Sequence, residues 1–120
     1  MDTIINTVNG EVNKSVTSAQ VLEVKGVNLP IKGDDPSVGI YLQQVGEPDN
    51  TRIKATVILN NEPKRLMFMV PGGLVINEMY QLVHITQASA SGNTTQLLKS
   101  PRTAFSNTQL KCTDGTLIPN

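Results

Sequence analysis

Apolar side chains in this chain recur at every second position in short runs, and residues that force turns separate the runs. Leu66, Phe68 and Val70 alternate with Met67 and Met69 until Pro71; Ile53, Ala55 and Val57 alternate with Lys54 and Thr56 until Asn60 to Pro63. A period of two places successive side chains on opposite faces of an extended backbone, whereas a helix requires apolar recurrence every three or four residues. The chain is therefore built of strands. Gly33-Asp-Asp-Pro-Ser-Val-Gly-Ile-Tyr-Leu42 is the sharpest instance, a turn placed directly before an alternating strand. Asp34 and Asp35 can fold their carboxylates onto nearby N–H groups, Pro36 fixes φ, and Gly39 tolerates a bend. Val38, Ile40 and Leu42 then share one face.

Further strands are expected at Thr3 to Val8, Gln20 to Lys25, Val38 to Gln44, Arg52 to Leu59, Leu66 to Val70, Met79 to Gln87, Thr95 to Leu98 and Arg102 to Leu110. About seven short strands at regular spacing predict an all-β fold, a two-sheet antiparallel β-sandwich, with a barrel as the competitor. No helix is demanded, although Gly72 to Glu78 has room for one helical turn. Tyr80, near the start of a late strand, is placed to send its OH to a backbone carbonyl across the sandwich. The expected division is a sandwich domain over residues 1–112 and a C-terminal tail over 113–120, with Leu117 and Ile118 able to dock.

At 120 residues, one core can bury roughly two-thirds of the unfolded surface, and there is no room for a second domain. Ten basic residues balance ten acidic ones, so no global field holds a nucleic-acid backbone or an anionic membrane. The single cysteine, Cys112, has no internal disulfide partner, which fits a reducing compartment and predicts a cytoplasmic protein. The amino-terminal residues lack a basic and apolar leader pattern, and no apolar run approaches the ~20 residues of a membrane helix.

The chemistry-bearing residues do not form a reaction centre. Asp34 and Asp35 have too few oxygen-bearing partners at calcium-loop spacing, Glu47 and Asp49 lying in another loop, so an Asx-turn is the expected role. His84 is the only histidine; Ser89, Ser91 and Cys112 are available as nucleophiles, but nothing orients them and no Gly-x-Ser-x-Gly turn exists. Arg102 is expected to pair with Asp34, Asp35 or a strand carboxylate, since no second basic residue stands beside it to complete an anion site. Lys54, Lys64 and Arg65 are the one basic concentration, without the aromatic platforms that stack single-stranded nucleic acid. Met67 and Met69 can form an adaptable protein-binding face, a second buried layer or a homodimer contact. Asn13-Lys14-Ser15 and Asn93-Thr94-Thr95 have the form of glycosylation sequons and matter only in a secreted chain. No catalytic, cofactor-binding or metal residues are expected, and no cofactor.

Taken together, Gly33 to Tyr41, Asn60-Asn61 with Pro63, Val70-Pro71, Tyr80-Gln-Leu82, Thr86-Gln87 and Leu97-Leu-Lys-Ser-Pro-Arg-Thr103 resemble a bacterial domain family of unknown function with an immunoglobulin-like (TIG-like) fold. The resemblance runs from about Ile4 to Leu110. Members of that family usually sit carboxy-terminal to an HU-like DNA-binding domain. The chain departs from the pattern in a longer Gly72 to Met79 link, in Glu62 between the asparagines and Pro63, in Ala88 where an aromatic residue is common, and in His84 at a usually apolar position. The resemblance implies a non-enzymatic interaction or accessory domain of a DNA-associated bacterial protein. Its expected partner is another protein or a neighbouring HU-like domain, with no direct nucleic-acid or membrane binding and with a homodimer possible. The alternative is a secreted or cell-surface carbohydrate-binding or adhesion module, which sparse aromatics disfavour.

Overall fold

The computed structural model describes residues 1–88 and 97–114. Among them the strands are β1 (Thr3–Asn6), β2 (Ser15–Thr17), β3 (Val21–Lys25), β4 (Gly39–Gln44), β5 (Ile53–Lys54), β6 (Ile58–Asn61), β7 (Arg65–Met69), β8 (Met79–Thr86), β9 (Arg102–Phe105) and β10 (Leu110–Thr113). They form two sheets, ordered β1-β3-β7-β6 and β2-β10-β8-β4-β5, with β9 also paired to β8. The chain is a two-sheet β-sandwich and not a barrel. Every pairing is antiparallel except that of β2 with β10.

The period-two pattern is what fills the space between the sheets. Ile4, Leu22, Val24, Leu66 and Phe68 point inward from the first sheet, and Ile40, Leu42, Tyr80, Leu82 and Leu110 from the second, all essentially inaccessible to water. Removing each large side chain from water contributes about 1.5–3 kcal/mol. β8 is buried on both faces, because Val83 lies in register between Tyr41 of β4 and Phe105 of β9. Across that outer face the Arg52 guanidinium sits 5.4 Å from the Phe105 ring centroid.

Two expected strands are interrupted, one by a change of sheet and one by a break along the single partner strand β8, and β2 falls where no strand was expected. Arg52 to Leu59 is not one strand: β5 pairs with β4, whereas β6 pairs with β7 in the other sheet. The crossing occurs at Ala55, whose N–H donates to Ile40, and is complete at Val57, whose carbonyl accepts from Met69. The expected first strand, Thr3 to Val8, is β1 and pairs with β3, whereas the chain beyond it crosses to the other sheet as β2, which pairs with β10. Buried Asn6 ties the halves together, its Nδ2 donating to Ser15 Oγ (3.1 Å) and Thr17 Oγ1 (2.9 Å). Arg102 to Leu110 is broken between β9 and β10 at Ser106, whose Oγ replaces a ladder carbonyl as acceptor for the Leu82 N–H (2.9 Å).

The turn regions also resolve into specific hydrogen bonds. Asp49–Thr51 is a 3-10 turn, while Gly72 to Glu78 contains no helical turn. Tyr80 OH accepts from the Val75 N–H (2.8 Å), so its corner bond is local and does not reach a carbonyl across the sandwich. Leu97 and Leu98 carry no strand; Thr95 and residues 115–120, including Leu117 and Ile118, lie outside the described residues. Among the described residues no helix is long and apolar enough to cross a membrane.

Candidate functional site

One end of the sandwich is a connection from β3 to β4 in which the backbone from Asn28 to Ser37 has no regular partner strand. Buried backbone groups without a ladder must be satisfied some other way, and here side chains from other strands and loops satisfy them. Thr86 at the end of β8 uses its hydroxyl fully: Oγ1 accepts from the Lys32 N–H (3.0 Å) and the Ala88 N–H (3.1 Å) and donates to the Pro30 carbonyl (2.8 Å). The Asn61 amide imitates a strand, Oδ1 accepting from Ile31 N–H (2.8 Å) and Nδ2 donating to its carbonyl (2.9 Å). The Leu29 N–H donates to the Pro63 carbonyl (3.0 Å).

Gln87 closes the turn that the Gly-Asp-Asp-Pro sequence announces. Its Oε1 accepts from the Asp35 N–H (3.0 Å) and its Nε2 donates to the Leu98 carbonyl (2.9 Å), linking the turn to the stretch that leads into β9. Asp35 forms the expected Asx-turn, its Oδ1 accepting from both the N–H (2.9 Å) and the hydroxyl (2.7 Å) of Ser37. These two bonds hold the Asp35 carboxyl below its ordinary pKa. Tyr41 OH donates to the Ser37 carbonyl (2.6 Å) and Lys54 Nζ to the Pro36 carbonyl (3.2 Å). Lys32, Asp34, Asp35 and Pro36 face solvent at the outer rim of this fixed backbone.

Arg102 completes the arrangement differently from expectation. Among the described residues it pairs with no carboxylate: Nε donates to the Ala88 carbonyl (2.8 Å) and Nη2 to the Asn28 carbonyl (3.2 Å). A planar fork satisfies two loops at once, which a carboxylate pair at the rim would not do. The ion pairs found among the described residues are Arg52 with Asp49 and Arg65 with Glu23. Lys54, Lys64 and Arg65 therefore do not act together, since Arg65 is engaged in the first sheet and Lys54 in the second.

His84 is buried in β8, its position flanked in register by Ile40 and Ala104, and Nε2 donates to the Leu29 carbonyl (2.8 Å). Burial lowers its pKa, opposed by the bond to Leu29 and reinforced by the nearby Arg102 charge. The neutral ring is thus the folded form. Stability contributed by this neutral ring is complete above the unfolded value of about 6.5 and declines as pH falls from there through the lower folded value. Urea midpoints are expected to fall between pH 7 and pH 5, and His84→Gln, which keeps a donor, is expected to flatten that slope; an unchanged slope in the variant would assign the pH dependence elsewhere.

No nucleophile meets this histidine among the described residues. Cys112 lies beside Val16 beyond the opposite end of β8, more than about 15 Å along the strand, and burial raises its pKa. Ser89, Ser91 and the Asn93 sequon lie outside the described residues. Asn13 of the other sequon turns inward, its Oδ1 accepting from the Ile4 N–H (2.7 Å). No three His, Cys, Asp or Glu side chains gather into a possible metal site among the described residues. Met67 and Met69 are half-buried on the outer face of the first sheet. At the end away from the Asn28 to Ser37 connection, a shallow cleft of about 180 Å³ is bordered by Ile53, Val75 and Tyr80, smaller than the roughly 300 Å³ at which ligand pockets begin.

The roles of Asn61, Thr86 and Gln87 were not readable from hydrogen-bonding chemistry in the sequence. The signal that could have found them was the joint occurrence of these residues with Gly33 and Arg102 across some seventy positions of chain, since side chains that bind one loop need no local spacing.

Comparisons with other proteins agree with this architecture. No curated protein matches the chain significantly. A solved structure from Bacteroides vulgatus ATCC 8482, provisionally named a bacterial DNA-binding protein, superposes with a TM-score of 0.77 at 28% identity over 92% of this chain. The chain spans 45% of that protein's length. Residues 1–104 match the profile of a domain family of unknown function with an immunoglobulin-like fold (DUF4469), so the two-sheet sandwich, its alternating core and the clamped Asn28 to Ser37 turn are those of a member of that family.

Proposed function

We propose that this is a non-enzymatic interaction domain, the accessory part of a DNA-associated bacterial protein. The observation that carries the reading is the use of the motif residues. Asn61, Thr86, Gln87 and Arg102 all bind backbone groups of one connection, and that use fixes the backbone that carries the outward-facing Lys32, Asp34, Asp35 and Pro36. A loop ordered before it meets its partner loses little entropy on binding, which suits recognition of another protein or of a neighbouring domain in the same polypeptide.

The DNA association is supported by the name of the Bacteroides protein and by its length, of which this chain accounts for less than half. The division of labour follows from charge: ten basic residues against ten acidic ones leave this domain without the field that phosphate binding needs. A reducing, cytoplasmic location is consistent with a single buried cysteine.

Titrating the domain with duplex DNA at low salt is expected to give no saturable binding, while the native reading frame is expected to encode an HU-like module. Tight binding that weakens steeply with salt would transfer the DNA contact to this domain. A secretion leader in the reading frame would favour the surface-adhesion alternative.

A further inference from the structure

The end of the sandwich away from the Asn28 to Ser37 connection carries two turns, Val45 to Pro48 after β4 and Gly72 to Glu78 before β8. They border the cleft of about 180 Å³, which is too small for a whole ligand and on the scale of one long side chain. Ile53 and Val75 give it apolar walls. Val75 and the neighbouring Ile76 are 53% and 54% exposed, so the apolar surface continues outward from the cleft. Gly73 leaves one side open, since a Cβ there would meet nothing within 4 Å.

The polar groups of this cleft are mostly acceptors. Gln44 donates from Nε2 to Glu78 Oε2 (3.3 Å) and Thr51 from its hydroxyl to the Pro48 carbonyl (2.6 Å), which leaves each with oxygen lone pairs. Among the described residues neither the Glu47 nor the Glu78 carboxylate has a cationic partner. The Glu47 backbone is held at both ends, its N–H donating to the Gln44 carbonyl (3.1 Å) and its carbonyl accepting from Gln43 Nε2 (2.9 Å). The neighbouring cations are turned elsewhere: Arg52 meets Asp49 and the Phe105 ring, and Lys111, in register with Met79, lies on the opposite face of the second sheet from Tyr80. One donor is left over. Tyr80 is 3% exposed, and its hydroxyl, having accepted from the Val75 N–H (2.8 Å), has no acceptor for its own proton among the described residues.

We propose that this cleft takes an arginine side chain presented by a segment of another protein. Apolar walls beside two carboxylates without cations match a long alkyl stem that ends in a charge. The guanidinium is the cation with the most donors, and its planar fork suits carboxylates. The Tyr80 proton selects a peptide-borne arginine over a free cation, because a peptide also brings a carbonyl acceptor. This surface is separate from the Lys32 to Pro36 rim at the other end of the sandwich, so the two readings stand or fall independently.

Titration of the isotope-labelled chain with acetyl-Gly-Arg-Gly amide, followed by amide NMR at low salt, is expected to shift the signals of Glu47, Thr51, Gly73 and Val75 saturably, with a Kd on the order of 1 mM. Citrulline in place of arginine keeps the shape and removes the charge, and is expected to weaken binding by at least about tenfold. Glu47→Gln is expected to cause a similar loss with the spectrum elsewhere unchanged, whereas Glu62→Gln, the same charge change at an exposed turn of the first sheet, is expected to leave binding intact. A lysine peptide that binds as tightly, an equal response to the citrulline peptide, an equal loss in Glu62→Gln, or no saturation up to about 20 mM would each overturn the proposal.

Discussion

Gly33→Ala is expected to destabilise the domain by about 4 kcal/mol, the sum of about 2 kcal/mol of backbone strain and about 1 kcal/mol for each of two hydrogen bonds. Gly33 has φ +123°, a conformation that side chains rarely adopt, and an added Cβ would lie 2.0 Å from Gln87 Oε1 and 2.7 Å from Gln87 Cβ. The second distance matters more, because the root of a side chain cannot swing away as its tip can. Gln87 would have to leave the Asp35 N–H and the Leu98 carbonyl, which opens the turn and the stretch leading into β9 together. Urea denaturation should show a lower midpoint with an unchanged slope. A Gly33→Ala/Gln87→Ala pair should lose less than the sum of its single substitutions, since both forfeit the same two Gln87 hydrogen bonds, while the contact with the Cβ at position 87 and the backbone strain remain. A loss below about 1 kcal/mol for Gly33→Ala would remove the clamp from the account of this corner.

Arg102→Ala is expected to cost about 2–3 kcal/mol, since two partly shielded bonds from a charged donor are lost and the Ala88 and Asn28 carbonyls must find other partners. Arg102→Lys should recover less than half of that, because an ammonium cannot present two fixed N–H groups to carbonyls on separate loops. The same unfolding measurements report both values. If Arg102 were instead a surface hook for an anion, alanine would leave the midpoint unchanged and lysine would retain its role. Near-wild-type stability in Arg102→Ala would therefore reverse the assignment.

Much of the sandwich was legible in residue order. The alternations Ile40/Leu42, Leu22/Val24 and Leu66/Phe68 predicted strands whose inward residues are the core, because a period of two fixes which side chains share a face whatever the strand pairs with. The Asp35 turn was legible for the same reason of locality: its acceptor and donors are two residues apart. Less legible were the places where one extended stretch serves both sheets. Arg52 to Leu59 reads as a continuous strand, yet β5 and β6 belong to different ladders, and nothing in the alternation records the change at Ala55. Ser15 to Thr17 has all three side chains buried and shows no alternation at all.

The clamped connection divides along the same line. Sequence identified its members as a set through a resemblance to a known family, but placed Arg102 against carboxylates, where the folded chain places it against carbonyls. Carboxylates are visible as residue types; an unsatisfied carbonyl is not, because every residue has one and only the tertiary structure decides which lack a ladder partner. Composition and period by themselves determined an all-β chain with no net charge, an inward apolar face on each strand and a turn at Gly33 to Pro36, since these depend on properties of neighbouring residues. Which strands change sheets and which loop His84, Thr86, Gln87 and Arg102 hold were decided only by the tertiary structure, because each depends on groups brought together from across the chain.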